Sequence, residues 1–262
     1  MPTSDRAQVI VVSNQKGGVG KTTTCINLAA ELGRHGYSVL VVDMDPQANG
    51  TSGLGVNAST LERSIYNVLL GDIPIRDAIL TTAWENVSLL PSSLDLAGAE
   101  IELASAISRE SKLKRQLEKL DGFDVVLIDC PPSLGILTLN ALAACDRLLV
   151  PIQCEYYALE GVGQLMRTVN LVRDTLNPSL EVSGVLLTLY DSRTRLANEV
   201  VAEVRRQFGD VVFDVVAPRN VRLSEAPSYG SPIAYYDSNS TGAKAYESLA
   251  REVIQRWLNE KP

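Results

Sequence analysis

The chain has 262 residues, 45% of them hydrophobic and 21% charged, with a net charge of −7. These values fit one globular α/β domain over residues 1–262 and exclude low-complexity, repeat and fibrous classes. The polar start, Met1 to Gln8, is no signal peptide, and no apolar run approaches the ~20 residues of a membrane span. Cys25, Cys130, Cys145 and Cys154 lie far apart without C-x-x-C spacing, which argues against a zinc knuckle or disulfide scaffold and suits a reducing cytosol. The acidic balance favours solubility and lends no support to nucleic-acid binding, so any DNA site must be a local patch.

Along the chain, apolar β-branched runs alternate with helical patterns. Strands are expected at Val9–Ser13, Ser38–Asp43, Val87–Leu90, Asp124–Asp129, Leu148–Pro151, Ser183–Thr188 and Val211–Val216. The runs are nearly continuous, as in strands buried on both faces. Helices are expected at Thr22–His35, Ile101–Leu120, Gly135–Ala143, Gly161–Leu176 and Asn198–Phe208. The alternation predicts a mostly parallel twisted sheet of about seven or eight strands with helices on both faces. Ligands bind such sheets beyond the carboxyl ends of the strands. Gly50–Arg76 reads as an elaboration on that edge, helical around Leu61–Leu70.

The first strand runs into Lys16-Gly17-Gly18-Val19-Gly20-Lys21-Thr22-Thr23 and then a helix. Strand, glycine turn and helix form a phosphate-binding context. Gly17, Gly18 and Gly20 can take left-handed angles and turn N–H groups inward. The helix N-terminus and Lys21 add positive charge, and the Thr22 hydroxyl suits Mg²⁺. The general G-x-x-x-x-G-K-[ST] pattern wants glycine at position 15, where this chain has Gln15. A second lysine, Lys16, is hard to explain by one nucleotide. It is either a solvated loop residue or one that points outward to a nucleotide on another subunit.

The second strand ends in Asp43-Met44-Asp45-Pro46-Gln47. Asp43 is expected to support the loop and the metal's outer shell. Asp45, where Pro46 bends the chain, is placed to orient an attacking water and accept its proton. The bland alternative is a turn after a strand. Further on, Val125-Val126-Leu127-Ile128-Asp129 is a Walker B pattern, its aspartate fit to hold a water of the Mg²⁺ shell. The prolines Pro131 and Pro132 stiffen the loop that follows. His35, the only histidine, reads as a helix-end residue. After the last strand, Pro218 can lie against a base and the Asn220 amide can pair with its edge.

The KGGxGK[ST] loop resembles that of the deviant Walker A ATPases, which include ParA/Soj, MinD and the nitrogenase iron protein. "PRNVRLSEAPS" (Pro218 to Ser228), "CEYYALEG" (Cys154 to Gly161) and "DPQANGTSGLG" (Asp45 to Gly55) resemble the ParA/Soj branch, and the likeness runs from about Val9 to Trp257. The resemblance implies ATP and Mg²⁺ as ligands and slow hydrolysis dependent on Asp45. It also implies a sandwich homodimer in which Lys16 reaches across to the partner's nucleotide. Such a dimer would bind double-stranded DNA without sequence preference, and a ParB/Spo0J-type centromere-binding protein would stimulate its release. The protein would be cytoplasmic and nucleoid-associated.

Arg193, Arg195, Arg219 and Arg222 lie in two loops among acidic neighbours, and alone they read as solvated surface. Matched to the family, Arg193 and Arg222 take DNA-contacting positions, with phosphate contacts only. Tyr156, Tyr157 and Glu160 make either dimer or nucleotide contacts or core packing. In Ala243–Leu258, apolar residues at helical spacing suit core packing; a MinD-like membrane helix is the alternative, and Glu247, Glu252 and Glu260 dilute the charge it would need. An iron–sulfur reductase would need paired cysteines at the dimer face.

Overall fold

The computed structural model describes residues 6–155 and 160–258. Its centre is one eight-stranded sheet: β1 (Gln8–Val12), β2 (Val39–Asp43), β3 (Leu80–Thr81), β4 (Val87–Leu90), β5 (Val125–Asp129), β6 (Arg147–Gln153), β7 (Val182–Tyr190) and β8 (Val212–Pro218). The order across the sheet is β3-β4-β2-β5-β1-β6-β7-β8. All neighbours are parallel except the antiparallel edge pair β3 and β4. The seven expected strands are present, each within a few residues of its expected bounds. The two-residue edge strand β3 is an addition that no periodicity announces.

β2 and β5 are buried at every position, and the other inner strands at most of theirs. Two apolar layers cover the faces. One includes Val9, Leu40, Ile128, Leu148 and Leu165; the other includes Ile10, Cys25, Leu28, Leu127 and Leu249. The helix Lys21–Arg34 lies in the second layer against Thr241–Trp257. In the latter helix Tyr246, Leu249, Ala250 and Val253 are buried, so its apolar stripe is spent on the core. Among the described residues no helix is long and apolar enough to cross a membrane.

The expected single helix Ile101–Leu120 is instead two short helices, Leu96–Glu102 and Lys112–Leu117, joined by 3₁₀ turns. Ala106 is extended and Ser108 adopts φ 52°, which breaks the helix without a proline or glycine. Asn140 holds the break, its Oδ1 accepting from Leu113 N and its Nδ2 donating to Arg109 O. The helix expected around Leu61–Leu70 begins only at Ile65, where Ser64 caps it.

Candidate functional site

β1 lies between β5 and β6, where the chain order reverses, so its carboxyl end opens at the switch point of the sheet. There the phosphate-type loop leads into the helix Lys21–Arg34. Gly18 (φ 74°) and Gly20 (φ 88°) are left-handed, as expected; Gly17 does not take that conformation. Val19 is buried, and its carbonyl accepts a 2.9 Å hydrogen bond from Thr188 Oγ1 on β7. Lys21 is buried and its Nζ donates to the Lys16 carbonyl at 3.1 Å. Burial lowers the Lys21 pKa, a shift that the Asp129 carboxylate opposes.

A cleft of about 740 Å³ opens above the loop, a size that suits a nucleotide. Its lining includes Gly17, Gly18, Gly20, Lys21, Thr22 and Thr23 on one side and Asp45 and Gln47 on another. Pro218, Asn220 and Pro227 line the far wall, and the buried Tyr246 borders the cleft. Lys16 is not part of this lining. Among the described residues its side chain makes no ion pair, and its N–H is held by Asn14 Oδ1 at 3.1 Å.

Asp43 and Asp129 end adjacent parallel strands in direct register and are fully buried. Asp43 is saturated: Oδ2 accepts from Thr51 N (2.7 Å) and Oγ1 (2.8 Å), and Oδ1 accepts from Asp45 N (3.1 Å). A Cβ on Gly50 would lie 3.0 Å from this carboxylate and 3.5 Å from Asp129 Oδ2, so glycine lets the chain close over both acids. Neither Asp129 oxygen has a hydrogen-bond partner. Burial, followed by the Asp43 charge, pushes the Asp129 pKa well up; the Thr22 hydroxyl lies near enough to temper the shift without bonding. Burial also raises Asp43, to about 6. Two buried acids, one orphaned, fit a divalent cation and its waters. Among the described residues no protein cluster could hold a metal alone, so phosphate oxygens and water must complete the shell.

Asp45 is buried at the cleft edge. Its Oδ1 accepts from Gln47 N at 2.9 Å, and its carbonyl accepts from Ser92 Oγ at 2.7 Å. Ser92 N in turn donates to Thr51 Oγ1. The Asn220 amide is already engaged: Oδ1 caps the helix Val221–Glu225 through Arg222 N, and Nδ2 donates to Thr241 Oγ1 at 2.8 Å. The oxygen is taken, but the amide's second N–H makes no hydrogen bond among the described residues, so a base-edge acceptor can pair with it.

The four arginines are at the surface and each is paired. Arg193 meets Asp191 (2.6 Å), Arg195 meets Glu199 (2.7 Å), Arg219 meets Glu155 (2.9 Å) and Arg222 meets Glu225 (2.9 Å). Arg193 holds the Asp191 carboxyl down to about 2. Arg219 N also donates to Tyr190 O, joining the two arginine loops. All four cysteines are buried and unpaired. Tyr156 and Tyr157 lie outside the described residues, as does the side chain of Glu160.

Sequence reasoning missed Asn14, Thr51, Ser92 and Thr188. Thr51 sits in the Gly-Thr-Ser stretch after Asp-Pro-Gln, whose small residues were a signal of tight packing near the acids. Thr188 is a lone threonine at a strand end and carried none.

Glycine turn, helix N-terminus, buried lysine and orphaned strand-end aspartate together define a phosphate-loop nucleotide-binding α/β protein. Residues 7–182 match the family model described as an AAA domain. Sporulation initiation inhibitor protein Soj of Bacillus subtilis is 53% identical over 94% of this chain and 98% of its own length. Chromosome partitioning protein ParA of Myxococcus xanthus is 51% identical over 97% and 90%. Among solved structures, Mycobacterium smegmatis cobyrinic acid a,c-diamide synthase with bound ADP and magnesium is 43% identical, with a TM-score of 0.85 over 97% of both chains. The cell division ATPase MinD of Pyrococcus furiosus is 29% identical, with a TM-score of 0.79 over 95% and 99%. The chain belongs to the ParA/Soj family of chromosome-partitioning ATPases.

Proposed function

We propose that the protein is an ATP-driven DNA-partitioning switch. ATP binds the cleft with its triphosphate on Gly17 to Thr23 and its base between Pro218 and Asn220. When bound, Mg²⁺ neutralises phosphate charge, held by the Thr22 hydroxyl and, through water, by Asp129, with Asp43 behind. Lys21 leaves the Lys16 carbonyl for phosphate oxygens. Asp45 orients water and takes its proton. Lys16 of each subunit reaches the partner's nucleotide in a sandwich dimer, which binds double-stranded DNA through Arg193, Arg195, Arg219 and Arg222. A ParB/Spo0J-type partner stimulates hydrolysis and release, and the protein works on the nucleoid.

The observation that carries this reading is the division between the two lysines. Lys21 lines the cleft, whereas Lys16, five residues earlier in the same loop, does not and has no ion-pair partner among the described residues. The "PRNVRLSEAPS" wall, which resembles the ParA/Soj branch, supports partition as the output of the switch. The buried stripe of the helix Thr241–Trp257 favours DNA over a membrane as the dimer's surface. The test is the mass of the Asp45→Ala protein with ATP and Mg²⁺, with and without random-sequence DNA. A dimer retained on DNA is expected; a protein that stays monomeric when saturated with ATP overturns the proposal.

A further inference from the structure

We propose that Asn14 is the positioning residue for Lys16, making with a side chain the turn that other phosphate loops make with glycine. Its consequence for dimerisation rests on the function proposed above. Asn14 is 2% exposed and uses both ends of its amide. Nδ2 donates to the Pro151 carbonyl on β6 at 2.7 Å, across 137 residues of sequence. Oδ1 accepts from the N–H of Lys16 at 3.1 Å, the local turn that asparagine favours.

The carbonyl of the same Lys16 accepts from Lys21 Nζ. The Lys16 backbone is therefore gripped on both sides, at its N–H by an amide anchored to the sheet and at its carbonyl by the phosphate lysine. No positive φ is needed at Gln15; the first left-handed residue of the loop is Gly18. The amide has only one sense that works. Flipped, it would set its NH₂ against the Lys16 N–H and its oxygen against the Pro151 carbonyl. Aspartate could keep the first bond but would turn an acceptor on the second. Fixing this peptide fixes where the Lys16 side chain leaves the loop, outside the cleft that Lys21 lines.

Hydrogen exchange on the full-length, nucleotide-free protein tests the local claim. In Asn14→Ala the Lys16 amide should exchange at least about tenfold faster, the loss expected for one hydrogen bond, with Val9–Val12 unchanged. Unchanged Lys16 exchange, or acceleration throughout β1, overturns it. In an Asp45→Ala background, Asn14→Ala should keep ATP affinity within about threefold yet weaken ATP-dependent dimerisation, whereas added to Lys16→Ala it should weaken dimerisation no further. Additive losses overturn the assignment to Lys16. Should Asn14→Ala fail to fold, Asn14→Asp carries the test, with weakened dimerisation and the same non-additivity expected. If Lys16→Ala alone leaves the dimer intact, the sandwich reading fails, while the exchange result still decides whether Asn14 holds Lys16.

Discussion

Lys21 Nζ donates to the carbonyl of Lys16 at 3.1 Å, so the two lysines of the loop are joined through one residue's backbone. Before nucleotide arrives, the ammonium is parked on a neutral acceptor in a buried setting that disfavours its charge. A triphosphate offers it a charged acceptor, worth roughly twice a neutral hydrogen bond. Lys21→Ala is expected to weaken ATP binding by about 100-fold or more, roughly 3 kcal/mol. Fluorescent-nucleotide titration checks this, and retained affinity would remove the loop from the binding site.

Asp45 lines the cleft while Asp43 and Asp129 are fully buried and do not, and the proposed function gives the attacking water to Asp45. Asp45→Ala should leave ATP binding within a few-fold of normal and slow hydrolysis by about 100-fold or more. Phosphate release under saturating ATP measures it; turnover at the normal rate would assign the proton transfer elsewhere.

The acid pair sets a pH dependence. Burial raises the folded-state pKa of Asp43 to about 6, and burial followed by the Asp43 charge pushes Asp129 well up. Between roughly pH 4 and pH 6 the folded, nucleotide-free protein then holds a proton that the unfolded chain has lost. Its stability falls as pH rises through that window, by on the order of 3 kcal/mol from Asp43 alone, and the raised Asp129 acts in the same direction. Asp129→Asn removes one of the two charges. It should flatten that slope and raise the Tm of the nucleotide-free protein at neutral pH, while Mg²⁺-dependent ATP affinity drops. Parallel Tm-against-pH curves for the two proteins would contradict this account of the pair.

The proposed DNA binding would compete with ion pairs already made. Arg193 and Arg222 are each held by a carboxylate, at solvent-exposed sites where such pairs are weak. Arg193→Glu with Arg222→Glu should abolish DNA retention and leave the ATP-dependent dimer intact. Asp191→Asn, which frees Arg193, should tighten DNA binding a few-fold at low salt, with the gain fading as salt rises. No change in either variant would move the DNA surface off these loops.

The sheet was legible because its inner strands are buried on both faces, and continuous apolar runs such as Val39–Val42 have few other uses. The loop, Asp45 and Asp129 were legible because their chemistry lies in short strings. The helical pattern over Ile101–Leu120 misled because Leu103, Leu113 and Leu117 are buried, although Leu103 lies in a 3₁₀ turn and only Leu113 and Leu117 share a helix. The left-handed Ser108 between them is exposed and adopts a conformation that serine's own preference does not announce. Asn14, Thr51 and Thr188 were hidden for another reason: each acts on a partner made local only by the fold. Thr51 reaches back eight residues to Asp43, and Thr188 reaches 169 to Val19.

Thr188 supplies the last prediction. Its buried hydroxyl is the tie from β7 to the Val19 carbonyl, in the middle of the phosphate loop. The next residue, Leu189, has φ 52°, a conformation costly for leucine, and it also lines the cleft. Thr188→Val keeps shape and burial but leaves the Val19 carbonyl without its donor. An unmade buried hydrogen bond costs about 1–3 kcal/mol. Part should appear as a lower Tm of the nucleotide-free protein and part as a faster-moving loop, with ATP affinity down by about three- to tenfold. Calorimetry and nucleotide titration on the same variant separate the two. A Tm loss with unchanged affinity would make Thr188 a core residue that merely passes beneath the loop.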